Sequence, residues 1–62
     1  MKTYFININK EGKLTSSRIA QTDTLDIAKE IARFYKKSYP RDKVFITAQI
    51  ILEETVVEGN EL

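Results

Sequence analysis

The chain predicts an α+β fold of order ββαβ: a three-stranded antiparallel sheet, strand order 2-1-3, with one amphipathic helix packed on one face. Three features carry that expectation. Apolar and polar residues alternate over Lys2–Asn9, the period lengthens between Leu25 and Tyr39, and alternation returns from Val44 to Leu52. A period of two sends successive side chains to opposite faces of a strand, whereas a period of about 3.6 gathers them on one stripe of a helix.

In the first segment Tyr4, Ile6 and Ile8 share one face and are expected in the core, while Phe5, Asn7 and Asn9 share the other. Asn9-Lys10-Glu11-Gly12-Lys13 reads as a hairpin turn. Asn bonds readily to backbone two residues on, and a glycine accepts the left-handed conformation that a G1 bulge needs. The returning strand is expected over Leu14–Gln21 at a sheet edge, where Arg18 and the hydroxyls of Thr15, Ser16 and Ser17 discourage pairing with foreign strands.

The helix is predicted over residues 24–38. Asp23 is placed to accept from the free N–H groups of the first turn, and Asp26 adds negative charge where the helix dipole favours it. Leu25, Ile27, Ala28, Ile31, Ala32, Phe34, Tyr35 and Tyr39 fall within one half of the circumference, opposite Asp26, Lys29, Glu30, Arg33, Lys36 and Lys37. Ile27, Ile31 and Tyr35 are expected to meet the sheet. Pro40 ends the helix, because the residue before a proline avoids helical geometry. The last strand is predicted over Lys43–Glu54, long enough to be central, with Val44, Ile46, Ala48, Ile50 and Leu52 on its inner face. Residues 1–54 are read as a single domain and residues 55–62 as an acidic tail, in which Thr55-Val56-Val57 either extends the last strand past a bulge or forms a short separate strand.

Size sets the next constraint. A chain of 7.2 kDa folds to about 4,000 Å² of exposed surface. The apolar surface it buries contributes roughly 95 kcal/mol, nearly equal to the entropy lost on ordering it. Small domains close such a margin with disulfides, metals, tight packing or self-association. The chain has neither Cys nor His, so disulfides and the commonest zinc ligands are absent. A homodimer is therefore expected, and no metal or other cofactor.

Charge is segregated. Residues 1–43 carry all ten basic residues and five acidic ones, a net +5; residues 44–62 carry no base and four acids, a net −4. No apolar run reaches the roughly 18 residues of a membrane span. The N-terminus, interrupted by Asn7 and Asn9, has no apolar core of a secretory signal. The expectation is a mature cytoplasmic protein that meets no membrane.

Catalysis finds no footing in these residues. Ser16 and Ser17 have no His to activate them, and every Lys falls at a turn, a terminus or the polar helix face. Asp23 and Asp26 read as helix-start residues, and Glu53 and Glu54 alternate across a strand end. The expectation is a non-catalytic protein that holds no small-molecule ligand. Two binding surfaces remain. The sheet face away from the helix would carry Phe5, Phe45, Thr47, Gln49 and Ile51, more apolar than a solvent face needs, and is the expected site of a protein partner or a second copy. The alternative is nucleic acid, held by Lys29, Arg33, Lys36, Lys37, Arg41 and Lys43 along and just after the helix. The size and the Lys-, Ile-, Asn- and Thr-rich composition are similar to those of short reading frames of phages and mobile elements in low-GC bacteria. That likeness implies an accessory or inhibitor protein.

Overall fold

A computed structural model describes residues 2–10, 12, 15–50 and 53–59. Among them, four strands and one helix follow the order β1 (Lys2–Asn9), β2 (Ser17–Thr22), α1 (Leu25–Ser38), β3 (Lys43–Ile50) and β4 (Glu53–Glu58). They form one sheet of order β2-β1-β3-β4, antiparallel at every neighbouring pair.

The α+β class, the one helix and the 2-1-3 arrangement agree with the sequence; the number of strands does not. The stretch predicted to run on to Glu54 as one strand reverses after Ile50, so that Glu53 pairs with Ile50 and Glu54 with Gln49. The register explains the reversal. Lys2, the first residue of β1, is already opposite Ile50. A longer β3 would carry N–H and C=O groups past the end of its partner, and folding back gives the outer edge of β3 its own ladder instead. The fourth strand takes up Thr55, Val56 and Val57, so that of the two alternatives for this stretch it is the separate strand that forms. Leu52 and Leu14, expected in strands, lie outside the described residues.

The two central strands run in unbroken register from Lys2↔Ile50 to Asn9↔Lys43. Both edge strands slip by one residue at the same level of the sheet. Ile6 pairs with Ala20 but Asn7 with Arg18, leaving Ile19 as the extra residue of β2. Ile46 pairs with Glu58 but Thr47 with Val56, leaving Val57 as the extra residue of β4. Such bulges bend the strand and sharpen its twist.

The core lies between the sheet and α1. Ile6, Ile8, Val44, Ile46, Ala28 and Ala32 are buried together, with Tyr4, Ile19, Ala20, Leu25, Ile31 and Tyr35 packed around them. The helix therefore meets the sheet chiefly through Ala28 and Ala32, both fully buried, with the predicted Ile31 and Tyr35 packed beside them, while the predicted Ile27 turns outward. Two causes act together. Alanine lets the helix backbone approach the isoleucines beneath it. An ion pair from Lys29 Nζ to Glu58 Oε1, 3.3 Å long, draws that flank of the helix toward β4. The rotation leaves Ile27 48% and Phe34 68% exposed.

The helix ends also depart in detail. Thr24 is the N-cap and makes no side-chain capping bond, so Asp23 does not fill the role predicted for it. Thr24 N instead donates to Thr22 Oγ1 at 3.4 Å. At the other end Lys36 Nζ donates to the carbonyls of Asp42 (3.0 Å) and Pro40 (3.4 Å), tying the turn that leads into β3. Gly12 has a φ of 80°, the left-handed conformation expected of it. The second strand starts at Ser17 rather than Leu14, so the link from β1 is longer than a tight hairpin.

Ile46 has no exposed surface and stands under Ala28 and Ala32. Ile46→Ala is expected to destabilise the domain by about 2–5 kcal/mol, the usual range for emptying a buried isoleucine site. Urea denaturation followed by circular dichroism reads this as a lowered midpoint. An unchanged midpoint would remove Ile46 from the centre of the core.

Candidate protein-binding face

The sheet face opposite α1 is built from alternate residues of all four strands. The register brings Phe5 beside Gln21 and Thr47, Asn7 beside Arg18 and Phe45, and Gln49 beside Thr3 and Glu54. A single helix covers only the other face, so the residues here have to satisfy one another or meet solvent.

At its middle this face closes itself with polar groups. Asn7 Nδ2 donates to Thr47 Oγ1 and to Phe5 O, each at 3.2 Å. Thr47 Oγ1 donates to Glu54 Oε1 at 2.6 Å, and Arg18 donates from Nη2 to the same carboxylate oxygen. The Arg18 guanidinium lies over the Phe5 ring, with Cζ 3.6 Å from the ring centroid. The chain of contacts thus runs from β1 through β3 and β4 to β2 and back onto β1. Beneath it Phe5, Asn7 and Thr47 are only 6–7% exposed.

Two of the five residues predicted to receive a protein partner, Phe5 and Thr47, therefore lie under this polar cover. Phe45 and Gln49 are half-buried on the same face. Ile51 lies outside the described residues. The sequence signal for the cover was present in Arg18 and Glu54, but only the register shows that they meet across two intervening strands.

Toward the far end the cover stops and the face opens into a cavity of about 630 Å³. Phe45 lines it together with Asn9, Ser16 and Lys43 on one side and Val56, Val57, Glu58 and Gly59 on the other. The β4 bulge accounts for two neighbouring valines reaching one cavity, since a bulge re-aims a residue that a regular strand would send to the opposite face. Val56 is 64% exposed and Val57 40%. Gly59 passes close to Phe45; a Cβ at this glycine would lie 3.7 Å from the Phe45 Cβ, in ordinary contact. Asn9 Oδ1 is buried and has no hydrogen-bond donor among the described residues.

The six cations of the nucleic-acid alternative are divided by the fold. Lys29 is paired with Glu58, and Lys36 is bound to the carbonyls after the helix. Arg33, Lys37, Arg41 and Lys43 are exposed. The two tyrosines considered as base-stacking groups lie against each other, Tyr35 and Tyr39 stacking with ring centroids 6.2 Å apart. Among the described residues no cluster of three or more metal-ligating side chains forms, and no helix is long and apolar enough to cross a membrane.

Arg18 and Phe5 are expected to be coupled. A double-mutant cycle of Arg18→Ala and Phe5→Leu, measured by denaturation, is expected to give about 0.5–1 kcal/mol of interaction, the range for a partly exposed cation over a ring. Strict additivity would show that the guanidinium does not seal the phenyl ring. Comparison with protein-family models, with curated proteins and with solved structures returns no match.

Proposed function

We propose that this chain is a small non-catalytic protein-binding module that receives an apolar side chain from an extended segment of a partner protein. The observation that supports this reading is the cavity floored by Phe45, into which the β4 bulge turns two adjacent and largely exposed valines, Val56 and Val57. Isolated apolar residues on a surface need no explanation. Two valines and a phenylalanine around one concave site offer apolar surface on which a side chain of a partner can settle.

The surroundings suit a peptide. Lys43 and Ser16 rim the cavity with hydrogen-bonding groups. The bulge interrupts the β4 ladder beside the cavity, so the reading is a side chain entering a pocket, with backbone pairing along β4 a lesser part.

Selection of binding peptides from a displayed random library tests the proposal, with nuclear magnetic resonance titration as the readout. The expected result is an apolar consensus whose addition shifts the amides of Phe45, Val56, Val57 and Gly59. Val56→Glu is expected to weaken binding at least tenfold without unfolding the domain, because Val56 is already mostly exposed. Shifts confined to α1, together with DNA or RNA binding that weakens steeply with salt and with Arg33→Glu and Lys37→Glu, would replace this reading with the nucleic-acid one.

A further inference from the structure

The helix carries two apolar seams, and the sheet uses one of them. Leu25, Ala28, Ala32, Tyr35 and Tyr39 follow one another at steps of three and four residues, and the first four of them face the core. Thr24, Ile27, Ile31, Phe34 and Ser38 repeat the same steps one residue earlier. A seam of alternating three- and four-residue steps is what a helix presents to a second helix in a coiled-coil contact. In this second seam Ile31 touches the core only by its edge, while Ile27 is 48% and Phe34 68% exposed.

The seam has a defined place. Lys29, on the opposite flank of the helix, is held by Glu58 of β4. Ile27 and Phe34 lie well over a third of a turn around the helix from Lys29 and so face the β2 side of the molecule. Among the described residues no strand lies beyond β2 in the sheet. The bulge at Ile19 twists that edge away from regular pairing, so the helix, more than the strand, offers the contact there.

From this geometry we infer that the second seam is the contact surface for a second copy of this chain, with the two helices packed antiparallel about a two-fold axis between Glu30 and Ile31. In that arrangement Ile27 of each copy meets Phe34 of the other. The charge pattern selects the direction. Along the exposed rim the first half of the helix carries Asp26 and Glu30 and the second half Arg33 and Lys37, with Asp23 just before it and Arg41 just after it. An antiparallel pair sets the acidic beginning of each helix beside the basic end of the other and opposes their dipoles; a parallel pair would set like charges together. A two-fold axis makes the patch its own partner, so one stripe suffices for both sides.

This association uses a surface separate from the Phe45 cavity, and its outcome does not depend on that reading.

Sedimentation equilibrium of the full chain over micromolar to millimolar concentration tests it. The expected result is a reversible dimer that Phe34→Glu and Ile27→Glu each weaken at least tenfold, with unchanged circular dichroism, while Val56→Glu leaves it intact. Because the chain has no cysteine, orientation can be read by cross-linking. Thr24→Cys mixed with Ser38→Cys is expected to form disulfide-linked dimers, and neither variant alone. A monomer at every concentration, or a dimer indifferent to both glutamates, would overturn the inference. Efficient cross-linking of either single variant with itself would overturn the antiparallel arrangement.

Discussion

Among the described residues one fourteen-residue helix has to close a four-stranded sheet. The side chains at its contact are small. Ala28 and Ala32 have no exposed surface, and they sit against Ile6, Ile8, Val44 and Ile46. Larger residues there would lift the helix and open gaps among the isoleucines that it could not fill, and protein interiors tolerate few such gaps. Close approach therefore rests on two alanines, and the bulk of the core comes from the sheet. This is why the apolar content of the helix exceeds what the core takes up, and why Ile27 and Phe34 stand outside it.

The same shortage governs the other face. With no second helix to cover it, the sheet shields Phe5 with the guanidinium of Arg18 and anchors that guanidinium on Glu54. Each interaction in the set is individually modest, since the side chains of Arg18 and Glu54 remain 46% and 35% exposed and such pairs contribute about 0–1 kcal/mol. Their effect is positional. Asn7, Thr47, Glu54 and Arg18 come from four different strands, so the contacts hold only when all four are in register. Where the set ends, at Phe45, the face is concave, with Phe45, Val56 and Val57 set among polar neighbours.

Much of the fold was legible because periodicity reports which side of an element is buried. The inner faces of β1 and β3 could be read from Tyr4, Ile6, Ile8, Val44 and Ile46, and the helix bounds to within one residue. The reversal after Ile50 was not legible. Ile50-Ile51-Leu52 is a continuous apolar run with no glycine or proline to mark a break, and the limit comes from the length of β1, a different segment. The rotation of the helix was hidden for a related reason. Its two seams have the same spacing, and what distinguishes them is the small size of Ala28 and Ala32 together with the pairing of Lys29 with Glu58 of the fourth strand. Of the candidate face, the alternation placed Phe5, Phe45, Thr47 and Gln49 on one side as observed. Which of them would be covered depended on Arg18 and Glu54 meeting over distances that no local pattern encodes.

The two bulges stand opposite each other across an uninterrupted central pair, one beside Ile6 and the other beside Ile46, which are themselves partners. Each edge strand thus changes step where the inner ladder does not. The inner pair keeps its pleat whatever the count of residues outside it, so gain or loss of a residue in an outer strand alters the slip without propagating inward. The margins of this sheet are the places where descendants of the sequence can change length, while the middle is held to a fixed count.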